Sequence, residues 1–150
     1  DVCSSDLKLQ IHATDISLAA IRVAEENAQR LGHSQIRFHH GSWNEPLDGK
    51  FQLIISNPTY VDAADPHLKS GDLRFEPDQA LTPGKDGTQA LRDISQRVYP
   101  MLDDGGSLLF EHGMDQGAVT REILASAGFS KTRTLKDLQG HDRVSVGVKT

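Results

Sequence analysis

Apolar positions along the chain follow two periods in turn, and the switching between them predicts a layered domain. From Leu7 to Thr14 the residues Leu7, Leu9, Ile11 and Ala13 recur at every second position, the spacing of a strand. Ser17 stands where a helix N-cap belongs, ahead of a stripe made by Ile21, Ala24, Ala28 and Leu31 that Gly32 stops. A short strand over 35–40 follows, then a polar turn through Asn44, Glu45 and Pro46. Phe51 to Ser56 is a compact apolar run ending at Asn57-Pro58, the pattern of a parallel strand buried on both faces. Helical spacing returns with Leu91, Ile94, Val98 and Met101 and stops around Pro100. Asp103-Asp104-Gly105-Gly106 reads as a turn, and Ser107 to Glu111 as the next buried strand. Val119, Ile123 and Leu124 mark another helix closed by Ala127-Gly128, and 129–135 with 143–148 form a final strand pair. Strands alternating with helices predict an α/β domain, a mainly parallel sheet flanked by helices.

Composition narrows the picture. The 150 residues, 37% apolar with 13 glycines, suit one globular domain with a sizeable core. Sixteen Lys and Arg against 21 Asp and Glu leave a net charge of −5, so a nucleic-acid partner is not expected. No apolar run approaches the roughly 20 residues that span a bilayer, and no stretch reads as a signal peptide, so a cytoplasmic, membrane-free monomer is expected. The single cysteine, Cys3, excludes an intramolecular disulfide and Cys-based zinc clusters. Residues 1–7 carry no periodic pattern and read as a junction rather than part of the fold. Residues 57–87, with Pro58, Pro66, Pro77 and Pro83, form a long loop of the kind that carries function.

Three places offer chemistry. Ser56-Asn57-Pro58-Thr59-Tyr60 follows a buried strand, and open α/β sheets bind ligands outside the carboxyl ends of their strands. Pro58 restricts Asn57 to extended geometry. The loop thereby offers an amide oxygen, the Pro58 carbonyl and the Tyr60 ring to a planar group bearing NH2. A strand-terminating turn with Tyr60 over the sheet edge explains the same residues equally well. Asp15, at the end of the first strand, suits the ribose hydroxyls of an adenosine-containing cofactor, and equally suits helix capping beside Ser17. Trp43, the only tryptophan, suits an adenine face or core packing. Gly84-Lys85-Asp86-Gly87 lacks the spacing of a phosphate loop. His39-His40 and Glu111-His112 are adjacent pairs that point to opposite sides of a strand and chelate metal poorly. Ser42 has no evident base beside it.

Together these pieces resemble the peptide chain release factor glutamine methyltransferases (the PrmC/HemK family). The likeness rests on Asn57-Pro58-Thr59-Tyr60 with Val61-Asp62, then Asp65-Pro66-His67-Leu68 and Arg74-Phe75-Glu76-Pro77 with Ala80-Leu81. It continues through Gly84-x-Asp86-Gly87 to Glu111-His112-Gly113 and covers about residues 8–150. The resemblance implies a Rossmann-like fold and S-adenosylmethionine as methyl donor, the acceptor being a glutamine amide in a release factor. It implies that Asp15 holds the cofactor ribose, that Trp43 and more weakly Ser42 line the adenine pocket, and that Asn57 lies between cofactor and substrate. Asn57 and Pro58 would hold the glutamine amide with Tyr60 beside it. Thr59 replaces the family's second proline, which loosens Pro58 and implies slower turnover. On the family pattern a first strand, its glycine-rich loop and an N-terminal helical domain precede the position of Asp15, so this chain is expected to be truncated at its N-terminus and to lack them. That strand would lie between those at 8–13 and 51–56. Two alternatives remain: an N6-adenine nucleic-acid methyltransferase, or an inactive fragment that only docks a peptide.

Overall fold

The computed structural model describes residues 9–58 and 88–150. In order they form β1 (Ile11–Asp15), α1 (Leu18–Arg30), β2 (Ile36–His40), β3 (Phe51–Ser56) and α2 (Gln89–Val98). A 3-10 turn (Tyr99–Met101), β4 (Leu102–Glu111), α3 (Gly117–Ser126), β5 (Ser130–Lys136) and β6 (Asp142–Val148) follow. The α/β class and the helix–strand alternation are as expected. The chain divides into two compact units at Asp48/Gly49, where the length alone suggests a single body.

In the first unit β1 and β2 pair in parallel, from Ile11 opposite Ile36 to Asp15 opposite His40. The Ser17 hydroxyl accepts the Ala20 N–H at 3.2 Å and starts α1, whose buried side is Ile21 and Ala28. Leu31, expected to extend that stripe, is the C-cap and 65% exposed, because the chain leaves the helix there and turns through Gly32 at φ +78°. Leu9 precedes the strand it was assigned to and is exposed.

The second unit holds a four-stranded sheet in the order β3-β4-β6-β5, with β3 parallel to β4 and the other two pairings antiparallel. Leu91, Ile94 and Val98 of α2 and Ile123 and Leu124 of α3 pack with Leu102, Leu108, Phe110 and Phe129 into one core on a single face. Gly147, opposite Leu108, is a fitting requirement of that face: a Cβ there would stand 2.8 Å from the Phe129 Cβ. Asp103–Gly106 is not a free turn but lies inside β4. Phe51 pairs with Leu102 and Leu53 with Ser107, so three extra residues bulge from β4, with Gly105 at φ +83°. The glycines permit the kink, while Gly105 N–H to Lys149 O at 2.8 Å and Lys149 N–H to Gly106 O at 2.9 Å keep the chain in the sheet.

β3 corrects a second expectation, since it is not buried on both faces. Ile54 packs against the core, whereas Leu53 and Ile55 are 52% and 69% exposed. Among the described residues β3 pairs only with β4, and the helices of the second unit pack on the face opposite Leu53 and Ile55.

Candidate functional site

The candidate residues sit at the carboxyl ends of parallel strands in both units. In the first unit, Asp15 ends β1 and is exposed. Its Oδ1 accepts the Ser17 N–H at 2.7 Å, which orients the carboxylate, and its carbonyl accepts the Gly41 N–H at 3.0 Å. That second bond ties the loop after β2 to the end of β1, so Asp15, Ser42 and Trp43 share one edge. Trp43 is 37% exposed rather than core, and has φ +48°. A bulky residue in the left-handed region costs on the order of 1 kcal/mol, and such strain concentrates at functional positions. Ser42 is half-buried, its carbonyl accepting the Glu45 N–H at 3.0 Å.

Behind this edge the unit holds a feature that adjacent-pair reasoning missed. His39 indeed turns away from His40, but its Nε2 lies 2.9 Å from His12 Nδ1 on the neighbouring strand, one imidazole donating to the other. Desolvation, then the nearby His39 and Arg37, lower the His12 pKa below its ordinary value of 6.5. His40 donates instead to the Ile16 carbonyl at 3.0 Å. Among the described residues no group of three or more His, Cys, Asp or Glu could hold a metal ion.

In the second unit, Asn57 and Pro58 extend β3 past Ser56. Their burial continues the strand's alternation, with Ile55 and Asn57 exposed and Pro58 fully buried. Thr59 and Tyr60 lie outside the described residues, as do the segments around Asp65 and Arg74. Ser56 pairs with Phe110, so Glu111-His112-Gly113 ends β4 at the level where Asn57-Pro58 ends β3. His112 is fully buried. Its Nδ1 donates to the Gly113 carbonyl at 2.8 Å, so Nε2 of the singly protonated ring accepts from the Ser145 hydroxyl at 2.9 Å. Ser145 is 2.9 Å from Thr134 Oγ1, which accepts from Arg121 Nη1. This chain of bonds pins the end of β4 to β5, β6 and α3. From the sequence, Glu111 and His112 enter as a poor metal-chelating pair and as part of the resemblance, with no role at the site. The signal that could have placed them is that each of the two strand runs is followed by polar residues at the same sheet edge.

A family profile described as a methyltransferase domain matches residues 5–134. The chain belongs to that methyltransferase family. It is 48% identical over 139 residues to a release factor glutamine methyltransferase of Xylella fastidiosa, covering 92% of this chain and 50% of that protein. A protein of the same name from Neisseria gonorrhoeae is 46% identical over 140 residues, with 91% and 51% covered. The chain thus spans about half the length of the curated relatives it matches. Among solved structures, a methyltransferase from Pyrococcus furiosus superposes with TM-score 0.71 at 19% identity, over 97% of this chain and 65% of that one. A ribosomal protein L11 methylase from Lactobacillus delbrueckii gives 0.65 at 22%, over 94% and 58%. These two carry the methyltransferase fold alone. No helix among the described residues is long and apolar enough to cross a membrane.

Proposed function

We propose that this methyltransferase domain is the catalytic part of an enzyme that methylates the side-chain amide nitrogen of glutamine in a peptide chain release factor, with S-adenosylmethionine as donor. The observation that carries the reading is the placement of Asn57-Pro58, one exposed and one buried, at the carboxyl end of a parallel strand. The curated relatives, named for that activity, support it.

Asp15, Ser42 and Trp43 fit an adenosine-bearing donor. Asp15 is an exposed acceptor already aimed by the Ser17 N–H, suited to a diol, and Trp43 presents a partly exposed ring for a planar base. When bound, S-adenosylmethionine supplies an electrophilic methyl on sulfur. The chain's own task is to prepare a poor nucleophile, because an amide lone pair is delocalised into its carbonyl. The Asn57 side-chain oxygen and the Pro58 carbonyl accept the two N–H groups and aim the nitrogen. Positive charge grows on that nitrogen, so both acceptors hold the transition state more tightly than the ground state. The proton leaves afterwards to solvent.

Asn57→Ala in a full-length protein carrying this segment should lower kcat by about 10²–10³, read as methyl transfer to a release factor. Near-full activity would remove Asn57 from the site.

A second reading, a fragment that docks a peptide without turnover, is favoured by the exposed Leu53 and Ile55 on β3. Calorimetric titration of the folded 150-residue chain with S-adenosylmethionine separates the two: binding supports the enzyme, and none by a folded chain supports the docking fragment. The adenine alternative has only the shared Asn-Pro-x-Tyr loop behind it, and the charge of −5 opposes it.

A further inference from the structure

The alternation that separates the two faces of the sheet runs past the last paired residues on both β3 and β4. On β3, Leu53, Ile55 and Asn57 are exposed, while Ile54, Ser56 and Pro58 are less so. On β4, Leu108, Phe110 and His112 are fully buried, while Leu109 and Glu111 are half-buried. Ile55 pairs with Leu109 and Ser56 with Phe110, so the next step puts Asn57 beside Glu111 on the outer face and Pro58 beside His112 on the inner one. Glu111 is further fixed by its pairing with Val144 on β6.

The Glu111 carboxylate has neither a hydrogen bond nor an ion pair among the described residues. Its strand neighbours on that face are Leu109, Ile55 and Val144. A half-buried carboxylate in apolar company is unfavourable unless something answers its charge. The basic group next to its β6 partner Val144, Arg143, donates to the His112 carbonyl at 3.3 Å and faces Asp137 at 3.5 Å.

We propose that Glu111 determines the charge preference of the acceptor site: beside Asn57 it admits a neutral amide, whose N–H groups meet acceptors only, and excludes a carboxylate of the same shape. This rests on the glutamine reading above and deepens it. With the Asn57 oxygen, the Pro58 carbonyl and the Glu111 carboxylate, the edge presents three acceptors and one negative charge. A glutamine side chain brings two donors to that set. A glutamate brings none, together with a like charge, and like-charge juxtaposition is among the strongest rejecting devices in recognition.

The test is peptide binding by a full-length protein carrying this segment, read by fluorescence anisotropy without methyl donor. Two labelled peptides are used, identical except for Gln or Glu at the central position. The wild type should favour the Gln peptide by roughly 10–100-fold. E111Q, which keeps the side chain's shape, should shrink that ratio to within about threefold, mainly by tighter Glu-peptide binding, while E111D should restore most of it. A structural role alone would weaken both peptides together and leave the ratio unmoved. An unchanged ratio in an E111Q protein that melts like wild type overturns the proposal and leaves the glutamine reading standing. A wild type that binds neither peptide and does not methylate a release factor overturns both.

Discussion

The two faces of the β3-β4-β6-β5 sheet are both apolar in sequence, yet they differ in what they pack against. On one, Leu108, Phe110, Leu91, Leu102 and Leu124 are wholly inaccessible beneath α2 and α3. On the other, alternation and register set Leu53, Ile55, Leu109, Val144, Val146, Val148 and Leu135. Of these Val146 is buried, while Leu53, Ile55 and Leu135 are exposed by 45% or more. An apolar sheet face is a request for a second layer, since sheets with parallel strands are normally covered on both sides. The inner face satisfies the request within the second unit. The outer face ends, at its carboxyl edge, in Asn57 and Glu111, so the less covered side is also the side that carries the proposed acceptor residues.

That contrast can be broken most forcefully from the inner face. Phe110→Ala should destabilise the 150-residue chain by about 3–5 kcal/mol, measured by urea unfolding. A loss below about 1 kcal/mol would mean the face is loosely packed. A smaller effect belongs to the first unit. Because the His12 pKa is lowered, the unfolded chain takes up a proton more readily than the folded one, so stability is retained above about pH 6.5 and falls as pH drops below that value. Protection factors, with the intrinsic pH dependence of exchange divided out, should therefore fall in β1 and β2 between neutral and mildly acid pH, and His12→Gln should flatten that dependence. An equal fall in β4 and β6 would contradict it. The smallest effect is expected on the outer face, where Ile55→Ser should change the stability of the 150-residue chain by no more than about 0.5 kcal/mol. The same substitution in a full-length protein sharpens the comparison, because a cost several times larger there would locate the covering layer in the remainder of that protein.

Local signals carried far where one strand or helix decides the outcome. Ser17 caps α1, Gly128 at φ +99° closes the turn after α3, and Asn57-Pro58 ends β3 as the residues predict. Periodicity failed where a partner chain segment decides instead. The run Phe51–Ser56 is apolar at nearly every position, which reads as two buried faces, but burial is a property of what lies opposite. Asp103–Gly106 has the composition of a turn and two glycines that permit one, yet β6 and Lys149 hold those residues in the ladder. The candidate site was legible in parts. Asp15 and Asn57 could be named from their position after strands, whereas Glu111 becomes a neighbour of Asn57 only through the pairing of Ser56 with Phe110. The His12–His39 contact likewise needs the β1–β2 register, which no adjacent pair in sequence announces.

The bonds around His112 have a consequence beyond anchoring. Arg121 at one end can only give hydrogens, and the Gly113 carbonyl at the other can only receive them. The Gly113 carbonyl holds the hydrogen on Nδ1, so Ser145 turns its hydrogen to Nε2 and Thr134 its own to Ser145, and the three have a single orientation available. The row is a ratchet of hydroxyl rotors: it has no mirror-image arrangement to flicker into. Arg121→Met would remove the donor at the α3 end but not the Gly113 carbonyl, so the nitrogen-15 shifts of His112 should still report hydrogen on Nδ1; a mixture of tautomers would mean that the helix, and not the carbonyl, sets the row.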